Sequence, residues 1–136
     1  MELDKEKLKN FDKLPPDVRR QFSLLMNRYA EKKKQSKIKK DFMAFVKHVW
    51  PDFIEGKHHK EVAQKFNEIA DGKIKRVIIN MAPRHTKSEF ASYLLPAWMV
   101  GRNPKLKIIQ STNTTELSVR FGRKAKALMD SAEYKE

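Results

Sequence analysis

Residues 77–95 read VIINMAPRHTKSEFASYLL, and the reading of this stretch decides the fold. Val77–Met81 is a short apolar run rich in β-branched residues, which predicts a buried strand. Ala82–Thr86 is a polar loop. From Lys87 the apolar positions return at helical spacing, so a helix is expected to open there. The loop ends in Lys87-Ser88, as does the phosphate-loop pattern G-x-x-x-x-G-K-[ST], but Met81 and Thr86 stand where that pattern has its glycines.

A phosphate site needs an incoming strand, a tight turn with inward N–H groups, and a helix whose positive end faces the anion. The order here is right. Pro83 lacks a donor, while Arg84, His85, Thr86, Lys87 and Ser88 all keep theirs. Lys87 would reach the outer phosphates and the Ser88 hydroxyl would ligate Mg²⁺. Arg84 adds a second fixed cation suited to the γ-phosphate. Lys87 and Arg84 are thus the candidate catalytic residues, and Ala82, Pro83, Arg84, His85, Thr86, Lys87, Ser88 and Glu89 the candidate ATP-binding set. If Thr86 takes a positive φ, its β-branched side chain adds about 1–3 kcal/mol of strain. On the pattern alone, a phosphate loop and an ordinary basic turn stand level.

Working outward, a second apolar run, KLKIIQST at 105–112, reads as another buried strand, and TTELSVRFGRKAKALMDS as a last helix. Upstream, the region after Pro16 reads as a helix with Phe22, Leu25, Met26 and Tyr29 on one face. A second helix is expected in KDFMAFVKHVW, ended by Pro51. A third is expected in KHHKEVAQKFNEIADG, where Gly72 suits a C-cap. Gly101 is expected to end the helix that starts at Lys87, with a kink at Pro96. Three helices followed by β-loop-α-β-α predict an α/β fold with adjacent parallel strands at 75–81 and 106–111, joined by a right-handed crossover.

The chain has 136 residues, enough for one domain with a sizeable core. Its formal net charge is +13, which favours a polyanionic partner, nucleic acid first and an anionic membrane second. The stretch EKKKQSKIKK holds six lysines in ten residues: Lys32, Lys33, Lys34, Lys37, Lys39 and Lys40. These are the candidate DNA contacts, weighed against a solvated helix end. No stretch reaches the ~20 apolar residues of a membrane span, and MELDKEKLKN is too polar for a secretion signal. There is no cysteine, so disulfides and thiolate ligation are excluded. His58 and His59 are adjacent and point to different sides of a helix, a poor start for a zinc site. Ser88 with His85 lacks the orienting acid of a hydrolytic triad.

The stretch from Phe53 to Tyr134 resembles the start of the ATPase domain of tailed-phage large terminase subunits, the motors that pump and cut viral DNA. Four motifs in order carry the likeness. They are G-x-H-H at Gly56–His59, P-R-H-x-K-S-E at Pro83–Glu89, L-P-A-W at Leu95–Trp98 and G-R-x-P at Gly101–Pro104. A helix with Arg120, Phe121 and Arg123 follows them. The first glycine of the loop is often missing in that family; the second is commonly kept, so Thr86 is a departure.

The resemblance implies a partial P-loop NTPase fold at 53–136, the N-terminal half of an ATPase domain, after a basic helical segment at 1–52. It implies ATP and Mg²⁺ as cofactors, with Lys87 and Ser88 holding phosphate and metal and Arg84 sensing the γ-phosphate. His59 falls near the position that contacts adenine. The implied partners are double-stranded DNA, the portal protein, the small terminase subunit and further copies in a homo-oligomeric ring, a pentamer. The implied setting is the host cytoplasm, transiently the procapsid portal, with no membrane and no secretion. Arg120 and Arg123 are read equally as solvated or as contacts to DNA or a neighbouring subunit, and Trp98 and Leu94 as core. No apolar strand ending in Asp-Glu follows residue 113, and no acidic nuclease cluster is present. The chain therefore reads as the N-terminal piece of a longer protein, incomplete for hydrolysis by itself. A non-enzymatic basic module that binds nucleic acid is the alternative, and a small P-loop kinase a weaker third.

Overall fold

A computed structural model describes residues 15–135. The first residues of the basic segment expected at 1–52 therefore lie outside the described part. The chain divides into two units, Met1–Gln35 and Ser36–Glu136. Helix α1, Pro16–Lys40, starts with proline at its first position, where the missing N–H costs nothing, and ends in Lys37, Lys39 and Lys40. None of its residues is buried. Its apolar face does not become a core: Leu25 is 63% and Tyr29 48% exposed.

In the second unit α2 spans Phe42–Val49 and α3 Lys57–Ala70. A continuous helical run then follows, made of α4 (Lys87–Glu89), a π-helical turn (Phe90–Leu94) and α5 (Leu95–Arg102). α6 covers Thr115–Asp130 and α7 Ala132–Lys135.

Local chemistry explains the ends of these helices. The Asp41 carboxylate caps α2 by accepting from the Met43 and Ala44 amides, and Asn67 of α3 completes the lock. Its Nδ2 donates to Asp41 and its Oδ1 accepts the Phe42 N–H at 2.8 Å. α3 stops where Gly72 adopts φ 74°, and Gly72 and Lys73 donate back to the Ile69 and Glu68 carbonyls. Pro96 cannot donate to the carbonyl one turn back. The turn before it is widened, with the Leu95 N–H reaching the Phe90 carbonyl. Gly101 does not end its helix, which runs on to Arg102. A Cβ at Gly101 would lie 2.9 Å from the Tyr134 hydroxyl, so the glycine serves the close approach of α7.

The core is aromatic. Phe42, fully buried, meets Phe66, Phe90 and Trp98 edge-on at 5.0, 5.4 and 5.4 Å, the arrangement ring quadrupoles favour. Each such side chain contributes about 1.5–3 kcal/mol by leaving water. Trp98 and Leu94 are buried in it, as expected. The Trp98 indole donates to the Ile38 carbonyl at 2.9 Å, and the Tyr134 hydroxyl to the Ala97 carbonyl at 2.7 Å.

The expected α/β architecture is overturned. No strand is present among the described residues, and the described fold is all-helical. Residues 75–81 and 106–111 do not pair as parallel strands, so this part is not the partial P-loop sheet the sequence suggested. The stretch 77–81 keeps a strand-like alternation, with Val77, Ile79 and Met81 half-buried and Ile78 and Asn80 exposed. Ile79 packs on the core, whereas Ile78 is 90% and Ile109 97% exposed. Apolar, β-branched composition favours an extended backbone. It does not supply the neighbouring backbone that a ladder requires. The described helices close their core on one another instead. None of these helices is long and apolar enough to cross a membrane.

Candidate functional site

The loop Ala82–Thr86 leads into the helical run at Lys87, as the sequence predicts. Arg84 and Thr86 have φ of 66° and 57°, and they are the two described non-glycine residues with positive φ. The two positive φ values thus stand on either side of His85. Thr86 is left-handed despite its branched Cβ, at a cost of about 1–3 kcal/mol. The strain anticipated for a non-glycine loop is therefore present.

Thr86 occupies the N-cap without capping. An N-cap threonine ordinarily accepts from the second or third helical N–H; here there is no such bond. The Thr86 Oγ1 instead donates to the His85 carbonyl at 2.7 Å and meets the His59 Nε2 at 2.8 Å. Its carbonyl accepts the first helical bond, from the Phe90 N–H at 2.9 Å. The N–H groups of Lys87, Ser88 and Glu89, which precede the first possible intrahelical donor, receive no cap from this side chain. Lys87 folds back over the loop and donates to the Met81 carbonyl at 3.3 Å, joining the two ends of the turn. His85 donates through Nδ1 to the Pro83 carbonyl at 2.9 Å.

Ala82, Pro83, Arg84, His85, Lys87 and Ser88 are exposed, and Glu89 is half-buried. The structure thus brings the predicted loop residues together on one accessible turn with two cations. Among the described residues no cluster of three or more His, Asp or Glu could hold a metal ion.

His59 is buried, and both of its nitrogens are engaged inside the protein. Nδ1 accepts the Gly56 N–H at 2.9 Å, at the start of α3. An amide can only donate, so the ring proton lies on Nε2, which donates to Thr86. Phe53 and Phe90 flank the ring at 4.8 and 5.2 Å. Burial lowers the His59 pKa, and the neighbouring His58 lowers it further, with Glu55 opposing and His85 adding slightly. The position suggested for adenine contact therefore has no free polar edge. A Cβ at Gly56 would lie 2.9 Å from the His58 ring, so the half-exposed His58 side chain would have to shift to admit one. The bond from His59 to Thr86 was not foreseen from sequence. Its one local signal is a hydrogen-bonding side chain at the third helical position after Gly56.

Lys32, Lys33, Lys34, Lys37, Lys39 and Lys40 all lie exposed on α1. Arg120 and Arg123 are exposed on α6, beside Lys124, whose ammonium sits 5.3 Å from the Tyr93 ring. Compared with models of protein families, with curated proteins and with solved structures, the chain matches none.

Proposed function

We propose that Arg84–Ser88 holds the phosphates of Mg·ATP, and that the chain is the nucleotide-binding part of a viral DNA-packaging motor of the large-terminase type. The observation that carries the first half is the concentration of backbone strain in Arg84 and Thr86, immediately before an uncapped helix start with a lysine laid across the turn. Observed strain of this kind collects at binding sites. The reading rests on the loop and the helix it opens, since no sheet stands behind them among the described residues. The second half rests on the four ordered motifs. It implies double-stranded DNA, a portal protein, a small terminase subunit and other copies in a ring as partners, in the host cytoplasm and at the procapsid portal. The property assigned to these residues is binding; hydrolysis requires in addition an acidic pair to hold Mg²⁺ and activate water.

Calorimetric titration with Mg·ATP tests this. Lys87→Ala removes a charge-assisted partner worth roughly 2–3 kcal/mol, a loss of about 30- to 150-fold in affinity. Equal binding by parent and variant would reduce the loop to a basic turn. One observation favours a second reading, a basic module for nucleic acid: α1 carries nine Lys or Arg against two acidic residues and buries none of them.

A further inference from the structure

We propose that His59 is a positioning residue for the phosphate loop: as the neutral Nε2–H tautomer it holds the Thr86 hydroxyl, and through it the left-handed turn that opens the helix at Lys87. The inference rests on the phosphate-binding reading of that loop and adds what keeps the loop in shape.

Three directional bonds make the device. The Gly56 N–H donates to Nδ1, Nε2–H donates to the Thr86 Oγ1, and the Thr86 hydroxyl donates to the His85 carbonyl, at 2.9, 2.8 and 2.7 Å. Each link fixes the direction of the next, because an amide only donates and a carbonyl only accepts. The bonds start at Gly56, just before α3, pass through the buried His59 ring beside Phe53 and Phe90, and end on the exposed loop, so the loop borrows the rigidity of the core. His59 is 7% exposed and flanked by Phe53 and Phe90, which restrict the ring to this orientation.

The bond has a second consequence. A threonine hydroxyl left to itself at an N-cap would accept from the first-turn amides and compete with any anion for them. Engaged by His59, it turns away, and those amides are left for a ligand. The same histidine thus stabilises the strained turn and keeps its donors available. A proton added to Nδ1 would face the Gly56 N–H and break the first link. The groups around the ring are His58 on its own helix, Glu55 from the preceding loop and His85 from the phosphate loop. Glu55 is also paired with Lys47.

A double-mutant cycle separates positioning from core filling. Mg·ATP affinity is measured for the parent, His59→Ala, Thr86→Gly and the double variant. His59→Ala should weaken binding about tenfold in the parent background, the effect of losing a hydrogen-bonded clamp. In the Thr86→Gly background it should change binding less than about twofold, because glycine takes a left-handed turn unaided. An equal loss in both backgrounds overturns the proposal.

His59→Gln, which keeps a side-chain amide donor, should retain more affinity than His59→Ala; equal losses count against the clamp. Long-range ¹H–¹⁵N NMR of the intact chain gives a readout independent of nucleotide. It should show the His59 proton on Nε2 near pH 7.5, and a proton on Nδ1 overturns the clamp even if Mg·ATP binds. If the parent binds no Mg·ATP, the phosphate reading falls, and the NMR tautomer together with the Thr86 backbone coupling in His59→Gln still decides the clamp.

Discussion

Arg84→Gly should make the protein more stable and a poorer binder of Mg·ATP. Arg84 is exposed and sits at φ 66°. An L-residue held in the left-handed region lies roughly 1–2 kcal/mol above its relaxed state, and glycine does not. Against this, glycine adds freedom to the unfolded chain worth about 0.4–1 kcal/mol. The difference leaves a gain of about 1 kcal/mol for Arg84→Gly over Arg84→Ala, which keeps the strain and also loses the guanidinium. At an ordinary loop position the order is reversed, because only the entropy of the unfolded chain is left. The two expectations differ by on the order of 1–2 kcal/mol, which urea unfolding resolves when the slope against denaturant is unchanged. Both variants should bind Mg·ATP about ten- to a hundredfold more weakly, the range expected for a charge-assisted phosphate contact. If Arg84→Ala is the more stable of the pair, the left-handed geometry at Arg84 is wrong, and with it the strained turn. If both are bound as tightly as the parent, the guanidinium does not reach phosphate.

Asp41→Ala removes the cap of α2 and leaves the Asn67 amide short of a partner, so urea unfolding should report a loss of about 1–2 kcal/mol. With Asn67→Ala added the losses should fall short of their sum, since one lock is broken twice. His59 binds a proton less readily folded than unfolded, so stability should be full above its ordinary value near 6.5 and decline as pH falls from there toward the lowered folded-state value. The urea midpoint followed from pH 7.5 to 5.5 should drop in the parent and less in His59→Gln; parallel curves would refute the assignment. Replacing Lys32, Lys33 and Lys34 together by glutamine should reduce the salt dependence of duplex-DNA binding by up to about three slope units if α1 contacts phosphates. An unchanged slope would leave those lysines as solvated surface.

The helices could be read from the sequence because their determinants are local. Pro16, Gly72 after an apolar face, and Lys87 after a turn each act within a few residues, and each stands at or beside a helix end in the structure. Pro96 was legible as a disturbance, and the widened turn before it is the form the disturbance takes. The strands were misread for the opposite reason. Whether Val77–Met81 becomes a strand depends on a neighbouring backbone that composition cannot show. The apolar run reads as a buried strand, although Val77, Ile79 and Met81 are only half-buried and Ile78 and Asn80 are exposed. The alternation was real, and the inference to a sheet went one step past it.

The loop shows the same division between local and distant causes. Its position, its cations and the helix at Lys87 follow from neighbouring residues, and the strain at Thr86 could be stated in advance as a consequence of a missing glycine. What makes that strain tolerable could not, because it comes from a histidine on another helix whose proton is fixed by Gly56. A loop built on glycine needs no such help, since glycine enters the left-handed region at little cost. With threonine there, something must offset about 1–3 kcal/mol. The two bonds of the Thr86 hydroxyl, each worth about 1 kcal/mol net, are of the right size to do so. Threonine at this position and histidine at 59 are therefore best understood as a pair. Of the two departures from the glycine pattern, Met81 and Thr86, the structure answers the second at His59.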